Sequence, residues 1–445
     1  MQRMITTFPA LIVAILLTLA PPLVRRADAV TLLRDPDIEN ALNQLAKPVI
    51  SAAGLSPARV KILVIRDRTL NAFIVDQRHI FIHSGLIMQL KTPEELQAVI
   101  AHEAAHMASG HIARRVANAR TANTVTGLGM ALAAMASVSG NSKAAAALGL
   151  GVASSANRVF MGHTRAEESS ADQSSIRYMA RAGVDPAGAV RVMEIFKGQE
   201  LVSAARQDPY ARTHPLSRDR VRHLEALAGT YAGRFKPDPA ARYWFSRAKG
   251  KLTAFERAPK WTRKTAGDSA SEDIRLMRLA VAYHRDSRTK QAVATMQKLL
   301  KLRSKDPYYH ELLGQILLES RNFPAAVSAY RNAVALAPRD ALILGAYGRA
   351  LLAVGNPKAA REALLNSRAR DQNNAQVLRD LGQAHSKLGQ PGLAALATAE
   401  RYALSGRLRD AGTHARRAAG LLPRGSAGWQ RAQDVLSAAE AAKKK

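Results

Sequence analysis

Small residues recur at a fixed interval through the second half of this chain, and that interval leaves few architectures open. Ala280, Gly314, Gly348 and Gly382 stand 34 apart, as do Ala292, Ala326, Ala360 and Ala394. A unit of that length holds two helices and a turn. Two helices cross closely only where both side chains are small, and stacked units bury one continuous face. The pattern therefore predicts an all-α solenoid in which four units share a register. Past Ala403 the register is lost, and Arg409 to Leu421 with Ala427 to Ala439 read as closing helices.

At 445 residues the chain is too long for one small core, so the half before the repeat needs its own account. The absence of cysteine excludes disulfides, thiolate zinc sites and a cysteine-linked lipid anchor together. A net charge of +30, about +18 of it in residues 251–445, suits anionic partners: nucleic acid, membrane headgroups or acidic protein surfaces. The N-terminus narrows that choice. Arg3 is a short basic region, Ala10 to Ala20 is apolar apart from Thr18, and Ala27-Asp28-Ala29 offers small residues for cleavage before Val30. Residues 1–29 are therefore expected to be a signal peptide, with an uncleaved anchor as the alternative. Export of the bulk of the chain argues against nucleic acid as a partner.

Residues 30–250 read as a mostly helical α+β domain. A helix is expected within 31–57, then strands at 60–66, 71–75 and 80–83, the last two flanking a turn at Asp76-Gln77-Arg78-His79. They suggest a small antiparallel sheet running into the next helix, either with an edge on which an extended peptide can add itself or only covering that helix. A short helix at 85–90 leads to Thr92-Pro93-Glu94-Glu95, a capping box with proline at the first helical position. The helix it opens is expected to run to about Asn118 and carries His102-Glu103-Ala104-Ala105-His106 in its middle. Thr121 to Ala156 is dominated by small and apolar residues, with Lys143 its one charge. It reads as a packed helical hairpin, with peripheral membrane contact as the minority reading. A confident helix spans 165–183, shorter helices follow to about 250, and 251–273 reads as a linker before a repeat domain over 274–445.

Two histidines four apart on a helix present their imidazoles on one face and can share a metal. Zinc in a hydrolytic site takes three protein ligands, so His102 and His106 need a third. Glu168 is the choice, because it lies on a helix and Asp172, one turn on, can accept from a ligand histidine's second nitrogen. His111 is the rival, but it would lie about 180° around a continuous helix from His102 at about 100° per residue. The three-histidine pattern would also need glycine at 109 and histidine at 112, where Ser109 and Ile112 stand. Glu103 sits where a general base for water must be. His214 or Arg220, in His214-Pro215-Leu216-Ser217-Arg218-Asp219-Arg220, can supply a donor for the transition-state oxyanion.

The HEAAH helix, the Glu167-Glu168-Ser169-Ser170-Ala171-Asp172 run and the HPLSRDR loop, in this order, resemble the zinc metallopeptidases of the HtpX and CAAX-prenyl-protease type over about residues 35–250. The small-residue phases, with Tyr330 and Pro338, resemble the tetratricopeptide repeat. The first resemblance implies one zinc ion per chain on His102, His106 and Glu168. Glu103 would be the catalytic acid/base and Asp172 would stand behind the ligands. The resemblance further implies that residues 71–83 border a substrate groove and that His214 can occupy zinc's fourth position and hold the enzyme latent. Integral members of the family have transmembrane helices that this chain lacks. An exported, repeat-bearing relative implies a periplasmic protease of misfolded or stalled envelope proteins. Its repeats would engage the outer-membrane assembly machinery, with chaperone activity alongside. The rival reading is a non-proteolytic chaperone or assembly scaffold with a latent zinc site.

Overall fold

In the computed structural model, residues 31–111, 165–199, 206–215 and 217–443 are described. The signal-peptide expectation, the segment 121–156 and the helix beyond His111 lie outside them. Elements are numbered below among the described residues.

The chain enters through a two-residue strand, β1 (Leu32–Leu33), and helix α1 (Pro36–Ala52). Asp35 caps α1 by accepting from the Ile38 N–H at 2.9 Å, and Ile38, Leu42, Leu45 and Val49 turn inward at helical spacing. β2 (Lys61–Ile65), β3 (Ala72–Ile74) and β4 (His79–His83) follow. β3 and β4 form the expected antiparallel hairpin, but β2 pairs with β4 in parallel, and the order is β1-β2-β4-β3. The sheet is therefore mixed, not antiparallel. β1 adds to β2 antiparallel, which leaves β3 as the other edge.

After α2 (Ser84–Gln89), helix α3 (Pro93–Ala108) runs through the centre of the domain. Thr92 accepts from the Glu95 N–H, and Glu95 reaches back to the Lys91 N–H at 2.6 Å. Leu96, Val99, Ile100 and Ala104 are buried on α3, so its middle turns are walled off from water. The helix ends ten residues before the expected Asn118. Ser109 closes it, and Gly110 at φ 65 takes the left-handed backbone that side-chain-bearing residues resist. α4 (Arg165–Arg181), α5 (Ala187–Ile195), α6 (Pro209–Thr213), α7 (Arg218–Gly229) and α8 (Pro239–Glu256) complete the layer. One core joins α1, the inner sheet face, α3, α4, α5, α7 and the first part of α8.

The rest is helical: α9 (Pro259–Thr265), then α10 (Glu272–Arg285), α11 (Thr289–Leu302), α12 (Pro307–Glu319), α13 (Phe323–Leu336), α14 (Ala341–Ala353), α15 (Pro357–Arg370), α16 (Ala375–Lys387) and α17 (Pro391–Leu404) in antiparallel pairs. A methyl group on Gly314 would stand 2.8 Å from the Tyr330 ring, so the close crossing demands glycine there. α18 (Leu408–Leu421) and α19 (Ala427–Lys443) continue the stacking. Arg416 stands where the next small residue of the series would fall, and Gly412 meets Ala439 instead. Residues 251–273, read as a linker, hold the end of α8 and all of α9. Phe245 and Leu252 of α8 belong to the N-terminal core, while Ala254 belongs to the first core of the solenoid. Among the described residues no helix is long and apolar enough to cross a membrane.

Candidate metal centre

The site grows from the packing of α3 against α4. His102 and His106, one turn apart on α3, bring their Nε2 atoms to 3.0 Å from one another. Glu168, in the first turn of α4, sets one carboxylate oxygen 3.5 Å from His102 Nε2 and the other 3.2 Å from His106 Nε2. His214, at the C-terminal end of α6, brings Nδ1 to 3.0 Å from Glu168 and 3.3 Å from His102 Nε2. One ligand atom from each of the four residues lies within 4.8 Å of every other, and all four are buried. Imidazole nitrogens converge this closely on a carboxylate when a cation belongs between them. The donor set, imidazole nitrogens with one carboxylate, suits zinc.

Behind the ligands a second set of contacts fixes their orientation. Asp172 stands 3.1 Å from His102 Nδ1, which turns Nε2 toward the centre. Arg220 donates to Asp172 at 2.8 and 3.0 Å, pairs with Glu168 at 2.9 Å and donates to the Pro215 carbonyl at 2.7 Å. Its guanidinium is thus committed to holding carboxylates and the loop. Glu103 is fully buried beside His102, and its carboxylate is 3.4 Å from His214 Nε2. That nitrogen also lies 3.4 Å from the Ala72 carbonyl of the edge strand β3.

Charge in the site is set by burial working against these contacts. Burial drives the His102 pKa down, but hydrogen bonds that His102 donates to Asp172 and Glu168 outweigh it and hold the group at about 10. For His106 burial prevails over the pull of Glu168, and its pKa lies well below the ordinary value. Burial would raise Glu168, yet His214, His102 and His106 together keep it well below the carboxylate range. Asp172 is likewise lowered, because His102 and Arg220 overcome its burial. Two carboxylates of the site, Glu168 and Asp172, therefore stay ionised.

The structure brings together all seven residues singled out in the sequence: His102, Glu103, His106, Glu168, Asp172, His214 and Arg220. Two further residues escaped that reading. His111 lies with Nδ1 2.8 Å from His106 Nδ1, so it orients that ligand from behind. It was weighed only as a ligand on a continuous helix, and the turn at Gly110 folds it back instead. Tyr210 stacks on Phe196 at 4.6 Å between ring centroids and covers the His214 ring at 4.5 Å. Only its place one turn before His214 could have pointed to it.

Residues 33–228 match peptidase family M48, and residues 277–341 and 317–388 match tetratricopeptide repeat families. The beta-barrel assembly-enhancing protease of Escherichia coli is 24% identical over 322 residues, which is 70% of this chain and 65% of that protein. A Vibrio cholerae protein assigned provisionally to the same type is 27% identical over 217 residues, 49% of this chain and 44% of that one. The mitochondrial metalloendopeptidase OMA1 of Schizosaccharomyces pombe is 29% identical over 187 residues, covering 41% of this chain and 51% of that protein. The chain thus spans between 44% and 65% of the length of these relatives.

Proposed function

With a peptidase family M48 domain over residues 33–228 and tetratricopeptide repeats behind it, we propose that this chain is an exported zinc metalloendopeptidase of the periplasm. It hydrolyses peptide bonds in misfolded or stalled envelope proteins, and its repeats bind substrates or the outer-membrane assembly machinery, with chaperone activity alongside. The observation that carries the reading is the convergence of His102, His106 and Glu168 with Glu103 buried at their side. One zinc ion per chain would be held by those three ligands, supplying Lewis acidity toward water and the scissile carbonyl. Glu103 takes the proton of the attacking water and passes it to the departing amine. Asp172 and His111 hold the two ligand imidazoles in the right tautomer, and Arg220 pairs with Glu168 and helps keep Asp172 ionised. The β3 edge, whose Ala72 carbonyl borders the site, receives the substrate as an added strand. The 1–29 segment delivers the chain to the envelope, the peptidase domain covers 30–250 and the repeat domain 274–445, with α8 and α9 joining them.

Glu103→Gln tests the assignment: zinc stays bound while casein degradation is lost, and undiminished cleavage would sink it. A second reading, a scaffold with a latent site, is favoured by one feature, the fourth donor of His214. Four protein donors leave no position open for water or substrate. In the proposed enzyme His214 is a latch that must swing aside. If Glu103→Gln restores an outer-membrane assembly defect as fully as the wild type, the scaffold reading prevails.

A further inference from the structure

Near its C-terminal end the solenoid carries a second concave site, far in sequence from the metal centre. Where the start of α16 meets the end of α17 and the turn into α18, a cavity of about 490 Å³ opens to solvent. Gln376, Arg379, Arg401, Tyr402, Ser405 and Arg407 line it, so three guanidinium groups and no carboxylate face one space. Two of the three are partly neutralised by neighbours: Arg379 pairs with Asp380 at 2.9 Å, and Arg407 with Asp410 at 2.6 Å. Arg401 has no carboxylate within ion-pair distance among the described residues. It lies over the Tyr402 ring at 4.7 Å from the centroid, and Arg407 lies over the same ring at 4.5 Å. Both cations line the cavity, and an anion entering it is attracted to each.

We propose that this cavity binds an acidic segment of a polypeptide, its carboxylates taken by Arg401 together with Arg379 and Arg407. Arginine's planar fork matches a carboxylate two bonds at a time. The Ser405 hydroxyl donates to the Arg401 carbonyl at 3.0 Å, and its oxygen is left to accept from a peptide N–H, which a bare anion would not supply. The volume is that of a site for several residues rather than for one inorganic ion. The proposal goes beyond the peptidase reading and does not depend on cleavage.

The test is fluorescence anisotropy with the full chain carrying Glu103→Gln, so that proteolysis cannot consume the probe. The probe is a fluorescein-labelled Gly-Ser-Glu-Glu-Ser-Asp-Glu-Ser-Gly peptide, and the control replaces Glu and Asp by Gln and Asn. The acidic probe is expected to bind saturably and the neutral one at least about tenfold more weakly. Arg401→Glu should weaken the acidic probe by about tenfold or more, and Arg379→Gln by less. Arg409→Glu, an equal change in net charge at an exposed arginine outside the cavity, should alter it less than about twofold. Equal losses from Arg401→Glu and Arg409→Glu would overturn the proposal in favour of general charge attraction. Displacement by excess inorganic phosphate, or by phosphatidylglycerol vesicles, as effective as by unlabelled peptide would overturn it in favour of a free anion or a lipid.

Discussion

Replacing His214 by alanine separates the latch from the rest of the proposed mechanism. The imidazole contacts Glu168 at 3.0 Å and Glu103 at 3.4 Å. Only the first is short enough for a full hydrogen bond, and one made to a charged partner is worth about 1.5–3 kcal/mol. A closed form favoured by that much outweighs the open form by about 10- to 150-fold. If opening precedes cleavage, the variant should gain initial rate by up to that factor. The loss of the ring stacked under Tyr210 acts on stability instead, and lowers the melting temperature. The assay compares initial rates of casein degradation by full-length wild type and variant, below both melting temperatures and at measured zinc content. His102, His106 and Glu168 remain, so zinc should stay near one ion per chain. A lower rate with zinc retained refutes the latch and makes His214 a donor to the transition state. An unchanged rate refutes both roles.

Asp172→Ala removes the acceptor behind His102 and should weaken zinc binding by about 10- to 100-fold, read by competition with a chromophoric chelator. Gly314→Ala forces a methyl group to 2.8 Å from the Tyr330 ring. The overpacking should cost about 1–3 kcal/mol, seen as a lower melting temperature with zinc content unchanged. Arg34 pairs with Asp371 at 2.7 Å, and although burial would raise the Asp371 pKa, Arg34 holds it below the ordinary 3.8. A depressed carboxylate stabilises fully above its unfolded pKa and loses that contribution as pH falls through its folded value. The stability deficit of Asp371→Asn should therefore be constant above about pH 5 and shrink below about pH 4, as measured by denaturant melts across that range.

What the sequence revealed and what it hid divide along locality. The spacing of Ala280, Gly314, Gly348 and Gly382 is a local demand of each helix crossing, so it can be read without knowing the rest of the chain. The same holds for His102 and His106, since one helical turn sets their geometry. Glu168 was reachable because a ligand of that kind travels with a carboxylate one turn away. The parallel pairing of β2 with β4 was not, because it depends on two segments separated by β3, whose own hairpin with β4 is the local signal. Leu32 and Leu33 make too short a strand to show a period. His111 was lost through a single assumption, that α3 continues past Gly110. Residues 251–273 read as a linker from their Pro, Gly and Ser content, but Thr262 and Ala266 are buried there and α8 runs from one core into the next.

That shared helix bears on how the repeats and the metal centre work together. Arg247 of α8 donates to Asp37 at 2.6 Å and to Asp306 at 2.6 Å, with its guanidinium 4.1 Å from the Tyr309 ring centroid. Lys251, one turn on, pairs with Asp35 at 2.9 Å and faces Glu311 at 3.8 Å. Burial pushes Glu311 up to about 8 against the pull of Lys251, so at neutral pH the cluster carries less negative charge than its carboxylates suggest. Apolar faces alone tolerate sliding, whereas a buried charge left without its partner costs about 3–5 kcal/mol. The cluster therefore fixes one register between the solenoid and the start of α1. Arg34, directly after β1, binds Asp371 in the same way. The solenoid thus holds the β1 side of the sheet, while the metal centre lies by β3 at the opposite edge. Three strand spacings separate the two edges, about 14 Å, which an extended chain crosses in about five residues. In the proposed enzyme, an extended segment of a polypeptide held beside that joint is long enough to reach the β3 edge next to Glu103.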